Sequence, residues 1–203
     1  MEDDMTDGVT QQTAPASPPR HATGPGMTIP RLTFPEQLVL WSARRLATAD
    51  RESVEIASEA PACRQSMRAR VAAELGVALG PTDAPAAGRA AAETLERTLD
   101  IFGCAGERGL RLNPLCCRFV SNDERLFLSF LAACQEGDHR HACALLSWFL
   151  PPAAIRAAAT DGAAFAAALQ AAGYLLPQRF RLASCTGFPR ATPAHGCAPR
   201  TLH

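Results

Sequence analysis

The sequence predicts an all-α fold, because helical periodicity and helix-capping signals recur along the chain while strand signals are missing. Apolar residues repeat at helical spacing in several segments, and neither strict alternation nor Asn-Gly hairpin turns occur. Two S/T-x-x-E capping boxes, Thr33 with Glu36 and Ser121 with Glu124, mark helix starts. We therefore expect one compact bundle of six or seven short helices, including an αα-hairpin, flanked by disordered termini.

The first half of the chain is predicted to hold four of these helices. Their expected extents are 33–48, 51–58, 62–75 and 83–103. Glycines set two of the ends. Gly76 and Gly80 are expected to end the third helix and Gly103 the fourth, because glycine is enriched just past helix C-termini.

The second half is predicted to hold the αα-hairpin and one further helical stretch. Residues 104–120 contain glycines and a proline and are expected to be irregular. The second capping box then opens an apolar helix, and Asp138 caps its partner across a short loop. Pro152 begins the last stretch, with an expected break at residues 160–162 and an end at Gly173.

Charge and composition divide the chain into three parts. Residues 1–30 form an acidic, Pro/Thr-rich leader with little apolar surface, which we expect to be disordered. Residues 31–177 form the helical domain. Residues 178–203 carry four arginines, no acidic residue and no periodicity, which predicts a basic, mostly disordered tail. Its Arg179 and Arg181 flank an aromatic residue and are candidates to contact RNA, acidic lipid or an acidic partner.

The composition excludes several kinds of chemistry. All 20 basic residues apart from histidine are arginine, so neither a Schiff-base lysine nor a P-loop lysine exists. Nucleophile-elbow, dinucleotide-binding and His-Glu-x-x-His motifs are also absent from the sequence. We therefore expect a non-enzymatic protein without a cofactor. Its Ala- and Arg-rich usage indicates a GC-rich genome, and we take the source to be bacterial.

The sequence also predicts where the protein is found. Its N-terminus lacks the basic and apolar regions of a signal peptide, and its longest apolar stretch is interrupted by Pro151 and Pro152. We expect no membrane span and a cytoplasmic location. In that compartment the eight cysteines are expected to be thiols or metal ligands rather than disulfides.

Two groups of cysteines are candidates for chemistry. Cys134, His139 and Cys143 combine thiol and imidazole donors in a short span, which predicts zinc as the alternative to a protein without a cofactor. His139 and Cys143 share a helix face, but a closed site needs a further ligand from elsewhere. Cys116 and Cys117 precede an arginine and a helix start, both of which favour a thiolate, so they are reactive-thiol candidates.

Two hypotheses for function follow. The first is a small helical protein that acts by binding another, unidentified protein, indicated by the missing catalytic motifs, the oppositely charged ends and the aromatic hairpin. The alternative is a thiol- or metal-responsive regulator that uses the Cys/His cluster. Sequence-specific DNA binding is not expected, since the formal net charge is zero and the second helix of the hairpin offers few cations.

Overall fold

The computed structural model describes residues 27–55, 60–80, 84–106 and 108–179, with side chains described outside 49–64. These residues form six α-helices and one short 3-10 helix: α1 Phe34–Glu55, α2 Ala60–Leu79, α3 Ala84–Ala105, α4 Asn122–Gln135, α5 His139–Leu146, α6 Pro152–Ala171, and the 3-10 turn Ile29–Arg31. Within the described ranges β-pairing is limited to one bridge between Thr28 and Phe119. The all-α bundle is therefore confirmed. The leader before Met27 and the tail after Arg179 lie outside the described residues.

Helix α3 lies between α2 and α6, while α4 and α5 form the predicted hairpin against α6. The hairpin contributes most of the aromatic core. Phe127 and Phe130 on α4 are fully buried, and Phe102 on α3 packs edge-on against Phe127 with ring centroids 5.9 Å apart. Such edge-to-face pairs add stabilisation beyond the apolar area that they bury.

Local capping signals set the helix ends in the second half of the chain. The Ser121 hydroxyl accepts the Glu124 N–H, and the Glu124 carboxylate accepts the Ser121 N–H, so this capping box is complete. The Asp138 side chain caps α5, Pro152 occupies the first turn of α6, and Gly173 follows α6 with φ +82°. All four predictions are confirmed.

Helix α1 is longer than predicted. It runs without a break from Phe34 to Glu55, whereas the sequence led us to expect separate helices over 33–48 and 51–58. No glycine or proline interrupts residues 36–59, so nothing in the chain itself stops the helix after its first apolar stripe.

Two glycines that were predicted to end helices instead lie inside them. Gly76 is within α2, and α3 continues past Gly103 to Ala105. Gly76 faces Gly88 of α3, where the two backbones approach so closely that a Cβ on Gly88 would lie 2.4 Å from the Gly76 nitrogen. The prediction at Gly76 was wrong because this glycine serves the contact between α2 and α3. Gly80, with φ +124°, follows the end of α2 at Leu79.

The predicted break at residues 160–162 is also wrong. Helix α6 is continuous from Pro152 to Ala171, and Gly162 lies buried beneath the Phe130 ring. A Cβ at Gly162 would come within 2.3 Å of the Phe130 Cζ. This glycine makes room for a core aromatic ring and does not interrupt the helix.

None of the described helices combines the length and the apolar character that crossing a bilayer requires.

Replacing Gly88 by alanine tests the close approach of α2 and α3. The added Cβ would lie 2.1 Å from the Ala72 carbonyl oxygen, so the helices must separate. We expect Gly88→Ala to lower the free energy of unfolding by about 1–3 kcal/mol, measured by urea denaturation. Gly103→Ala on the same helix is the matched control, because nothing lies within 4 Å of its Cβ. It should leave stability unchanged or raise it slightly, and an equal loss in both variants would contradict the packing argument.

Candidate functional site

The hairpin brings two of the three predicted metal ligands near each other. Burial, with a smaller contribution from the neighbouring Cys143, raises the pKa of Cys134 to about 12. His139, the first residue of α5, is exposed. No group of three or more His, Cys, Asp or Glu side chains within the described ranges is arranged to hold a metal ion. The zinc site at Cys134, His139 and Cys143 thus stays a prediction.

The adjacent cysteines Cys116 and Cys117 lie in a tight turn of the irregular segment between α3 and α4. The Cys117 N–H donates to the Pro114 carbonyl oxygen at 2.9 Å, which closes the turn. The Cys116 side chain is exposed, whereas Cys117 is half-buried with its Sγ 3.8 Å from the Phe119 carbonyl oxygen. Cys116 is therefore the accessible thiol of the pair.

A buried guanidinium holds this segment in place. Arg44, on α1, is 3% exposed, and its Nε lies 2.7 Å from Oε1 of the fully buried Glu124. Its terminal nitrogens donate to Glu124 Oε2 and to three backbone carbonyl oxygens of the segment, those of Pro114, Cys117 and Phe119. Since a guanidinium carries five N–H donors, these five hydrogen bonds use its full capacity.

The Glu124 carboxylate also has hydrogen-bond donors for both of its oxygens. Besides Arg44 it accepts the backbone N–H of Ser121 at 2.7 Å and that of Asn113 at 2.9 Å. The capping residue predicted from the sequence is thus also the partner of a buried cation 80 positions away. We refer to Arg44, Glu124 and the backbone groups bound to them as the Arg44 clamp.

The neighbouring carboxylate fixes the start of the same segment. Asp123, which is nearly buried, accepts the Arg111 N–H at 3.0 Å and one Arg108 guanidinium nitrogen at 2.6 Å. Arg108 also lies over the Phe149 ring, 4.9 Å from its centroid. Two consecutive acidic residues in the first turn of α4 therefore organise most of the segment, and their charge suits the positive end of the helix dipole.

The segment held by the clamp and the 3-10 turn that runs beside it carry a set of exposed side chains, which we call the arginine–aromatic surface and define as Arg31, Arg111, Arg118 and Phe119. All four side chains are exposed, Phe119 by 49%. The Arg118 guanidinium lies over the Phe119 ring, 5.2 Å from its centroid. The chain before α1 runs alongside, with the Ile29 N–H donating to the Arg118 carbonyl oxygen at 2.9 Å.

Hydrogen bonds place the Arg111 backbone beside this stretch. Asn113 Nδ2 donates to the Phe119 carbonyl oxygen, and the Ser121 hydroxyl donates to the Arg111 carbonyl oxygen at 3.1 Å. Leu112 and Val120 are buried, whereas Arg111 and Phe119 are exposed. The sequence offers no sign of this juxtaposition, since it depends on contacts between distant segments.

A second ion pair joins the end of the described chain to the start of α1. Arg179, which the sequence assigned to the basic tail, donates to the buried Glu36 carboxylate at 2.5 and 2.8 Å. Burial alone raises the pKa of Glu36, but hydrogen bonds from Arg179 and Thr33 outweigh it and hold that pKa below its ordinary value. Arg179 is thus held within the fold, while Arg181 lies outside the described residues.

A groove of about 530 Å³ lies between α2 and α3. Its lining includes several alanines and the charged residues Arg68, Arg89, Glu93 and Glu96. Arg68 and Glu96 pair across it, so its charges are balanced.

Comparison of the chain with protein-family models, curated proteins and solved structures finds no match. We therefore infer the function from the surfaces described above.

Removing Arg44 tests how far the fold depends on the clamp. Arg44→Met leaves the Glu124 carboxylate buried without its cation, and we expect it to lower the free energy of unfolding by about 3–5 kcal/mol, measured by urea denaturation. Arg68→Met removes the exposed ion pair with Glu96 and should cost less than about 1 kcal/mol. Similar losses in both variants would show that burial does not distinguish the two pairs.

Proposed function

We propose that this protein acts by binding another protein and that the arginine–aromatic surface is where the partner docks. The observation that carries the proposal is Phe119, a half-exposed aromatic ring covered by the Arg118 guanidinium on a segment fixed from beneath by the Arg44 clamp. Aromatic residues and arginine are enriched at protein interfaces, and arginine is among the residues that contribute most to their affinity.

The rigidity of the segment favours this role. Binding through a loop costs affinity when the loop must be ordered in the complex. Here five hydrogen bonds from Arg44 and two from backbone N–H groups to Glu124 fix the segment in the unbound protein. The exposed side chains are therefore presented on a preorganised backbone, as in interfaces that bind with little rearrangement.

We also propose a bacterial cytoplasmic location. The five cysteines whose side chains are described are free thiols, which suits a reducing compartment, and the Ala- and Arg-rich composition suits a GC-rich bacterial genome.

A thiol-responsive role is the second candidate, favoured by the position of Cys116. Its exposed thiol lies in the turn that Arg44 holds, two residues before Arg118. Modification of that thiol would add bulk beside the arginine–aromatic surface. In this hypothesis the thiol state controls partner binding.

Truncating Phe119 tests the proposed interface. We expect Phe119→Ala to weaken partner binding by about 2 kcal/mol, or roughly thirtyfold in affinity, because an aromatic side chain at an interface centre is typically a hot spot. The measurement is quantitative capture of partners from lysate of the source cells by full-length protein, with a photo-crosslinking residue at position 119 to report direct contact.

The matched control is Val77 on α2, which is 80% exposed and distant from the clamp. Val77→Ala should retain the captured partner, and a crosslinker at position 77 should not label it. If both alanine variants capture the same proteins equally well, the arginine–aromatic surface is not the interface.

Timed alkylation at neutral pH tests the thiol hypothesis. We expect Cys116 to label rapidly because it is exposed, and Cys134 to label at least about tenfold more slowly, because its high pKa leaves almost no thiolate and partial burial limits access. Peptide mass spectrometry before and after unfolding gives both rates. Equal rates at the two cysteines in the native protein would remove Cys116 as a distinct reactive site.

A further inference from the structure

We propose that the arginine–aromatic surface recognises an acidic segment of the partner protein, whose carboxylates pair with Arg111 and Arg118 while an apolar side chain contacts Phe119. This inference rests on the proposed function, because it names the chemistry of the partner at the same surface. It also accounts for the charge pattern around the segment between α3 and α4.

The arginines of this surface have no counter-ion among the residues that the structure describes. Arg31, Arg111 and Arg118 are exposed and form no ion pair with any described residue. The carboxylates at the start of α4, Asp123 and Glu124, are buried and already engaged by Arg108 and Arg44. Among the described residues, this surface therefore carries three unpaired positive charges, although the whole chain has a formal net charge of zero.

The type of cation on this surface also favours a carboxylate ligand. An arginine guanidinium binds a carboxylate through two parallel N–H donors and also stacks on aromatic rings. The Arg118 guanidinium already lies 5.2 Å from the Phe119 ring centroid and forms no ion pair with a described residue, so its N–H donors are left for a ligand. A segment that combines carboxylates with apolar side chains satisfies both the arginines and the exposed part of the Phe119 ring.

The overall charge of the chain and the single exposed ring favour a protein segment over nucleic acid as the ligand. Nucleic-acid-binding domains usually have a strongly basic face and a high isoelectric point, with aromatic rings along a groove that follows the strand. This chain has a sequence isoelectric point of about 6.9, and the arginine–aromatic surface offers a single exposed ring. Three exposed arginines with one aromatic ring suit a short acidic peptide better than a phosphate backbone.

Fluorescence anisotropy with a labelled peptide of ten glutamates tests this recognition directly. Full-length protein should bind the peptide at low salt, and binding should weaken as salt is raised, because surface ion pairs are screened. We expect the double variant Arg111→Gln/Arg118→Gln to bind about tenfold more weakly.

The control variant is Arg140→Gln/Arg156→Gln, which removes the same charge from exposed positions on α5 and α6. It should bind the peptide within about twofold of the wild type. Equal weakening in the two double variants would overturn the proposal, since it would mean general attraction to positive charge. Absence of peptide binding, or tighter binding of a ten-nucleotide oligouridylate, would overturn it as well.

Failure of this inference is distinguishable from failure of the proposed function. If Phe119→Ala loses the captured partner while Arg111→Gln/Arg118→Gln captures it as the wild type does, the interface is correct and its acidic specificity is wrong. If Phe119→Ala captures the partner at the wild-type level, the interface itself is wrong.

Discussion

The buried pair between Arg44 and Glu124 is the interaction on which the irregular segment between α3 and α4 depends. Removing two charges from water is unfavourable unless the interior replaces their hydration with well-placed hydrogen bonds. Here every Arg44 donor is used, and Glu124 accepts two backbone N–H groups besides the guanidinium. Because these bonds reach three carbonyl groups of one segment, they specify its path where no helix or sheet does so. The pair therefore acts mainly through specificity, by excluding other conformations of the segment.

A second set of side-chain hydrogen bonds holds the end of the described chain in a similar way. Gln135 donates to the Tyr174 carbonyl oxygen at 2.9 Å and accepts the Leu176 N–H at 2.8 Å. Arg179 then reaches Glu36 at the start of α1. The stretch after α6 is thus held by side chains of α4 and α1, as the segment before α4 is held by Arg44. In both places a side chain on a regular helix supplies the hydrogen bonds that irregular backbone lacks.

The sequence was most informative where the determining contacts are local. The Ser121 capping box, the Asp138 cap and Pro152 each act within one helical turn, and all were predicted. The predictions at Gly76 and Gly162 were wrong, because a single sequence does not distinguish a glycine that ends a helix from one that makes room for a neighbouring helix or ring. The candidate surface was not predicted at all. Glu124 was identified as a capping residue, but its pairing with Arg44 spans 80 positions, and no periodicity encodes such a contact.

The absence of lysine links the clamp and the surface that it supports. A lysine at position 44 has three donors on one nitrogen and is unable to contact a carboxylate edge-on while reaching three carbonyl groups in different directions. A lysine at position 118 lacks the flat guanidinium that covers the Phe119 ring. A composition that codon usage alone would explain therefore has a structural consequence here. The same type of planar cation thus holds the segment from within, as Arg44, and contacts the aromatic ring on its outside, as Arg118.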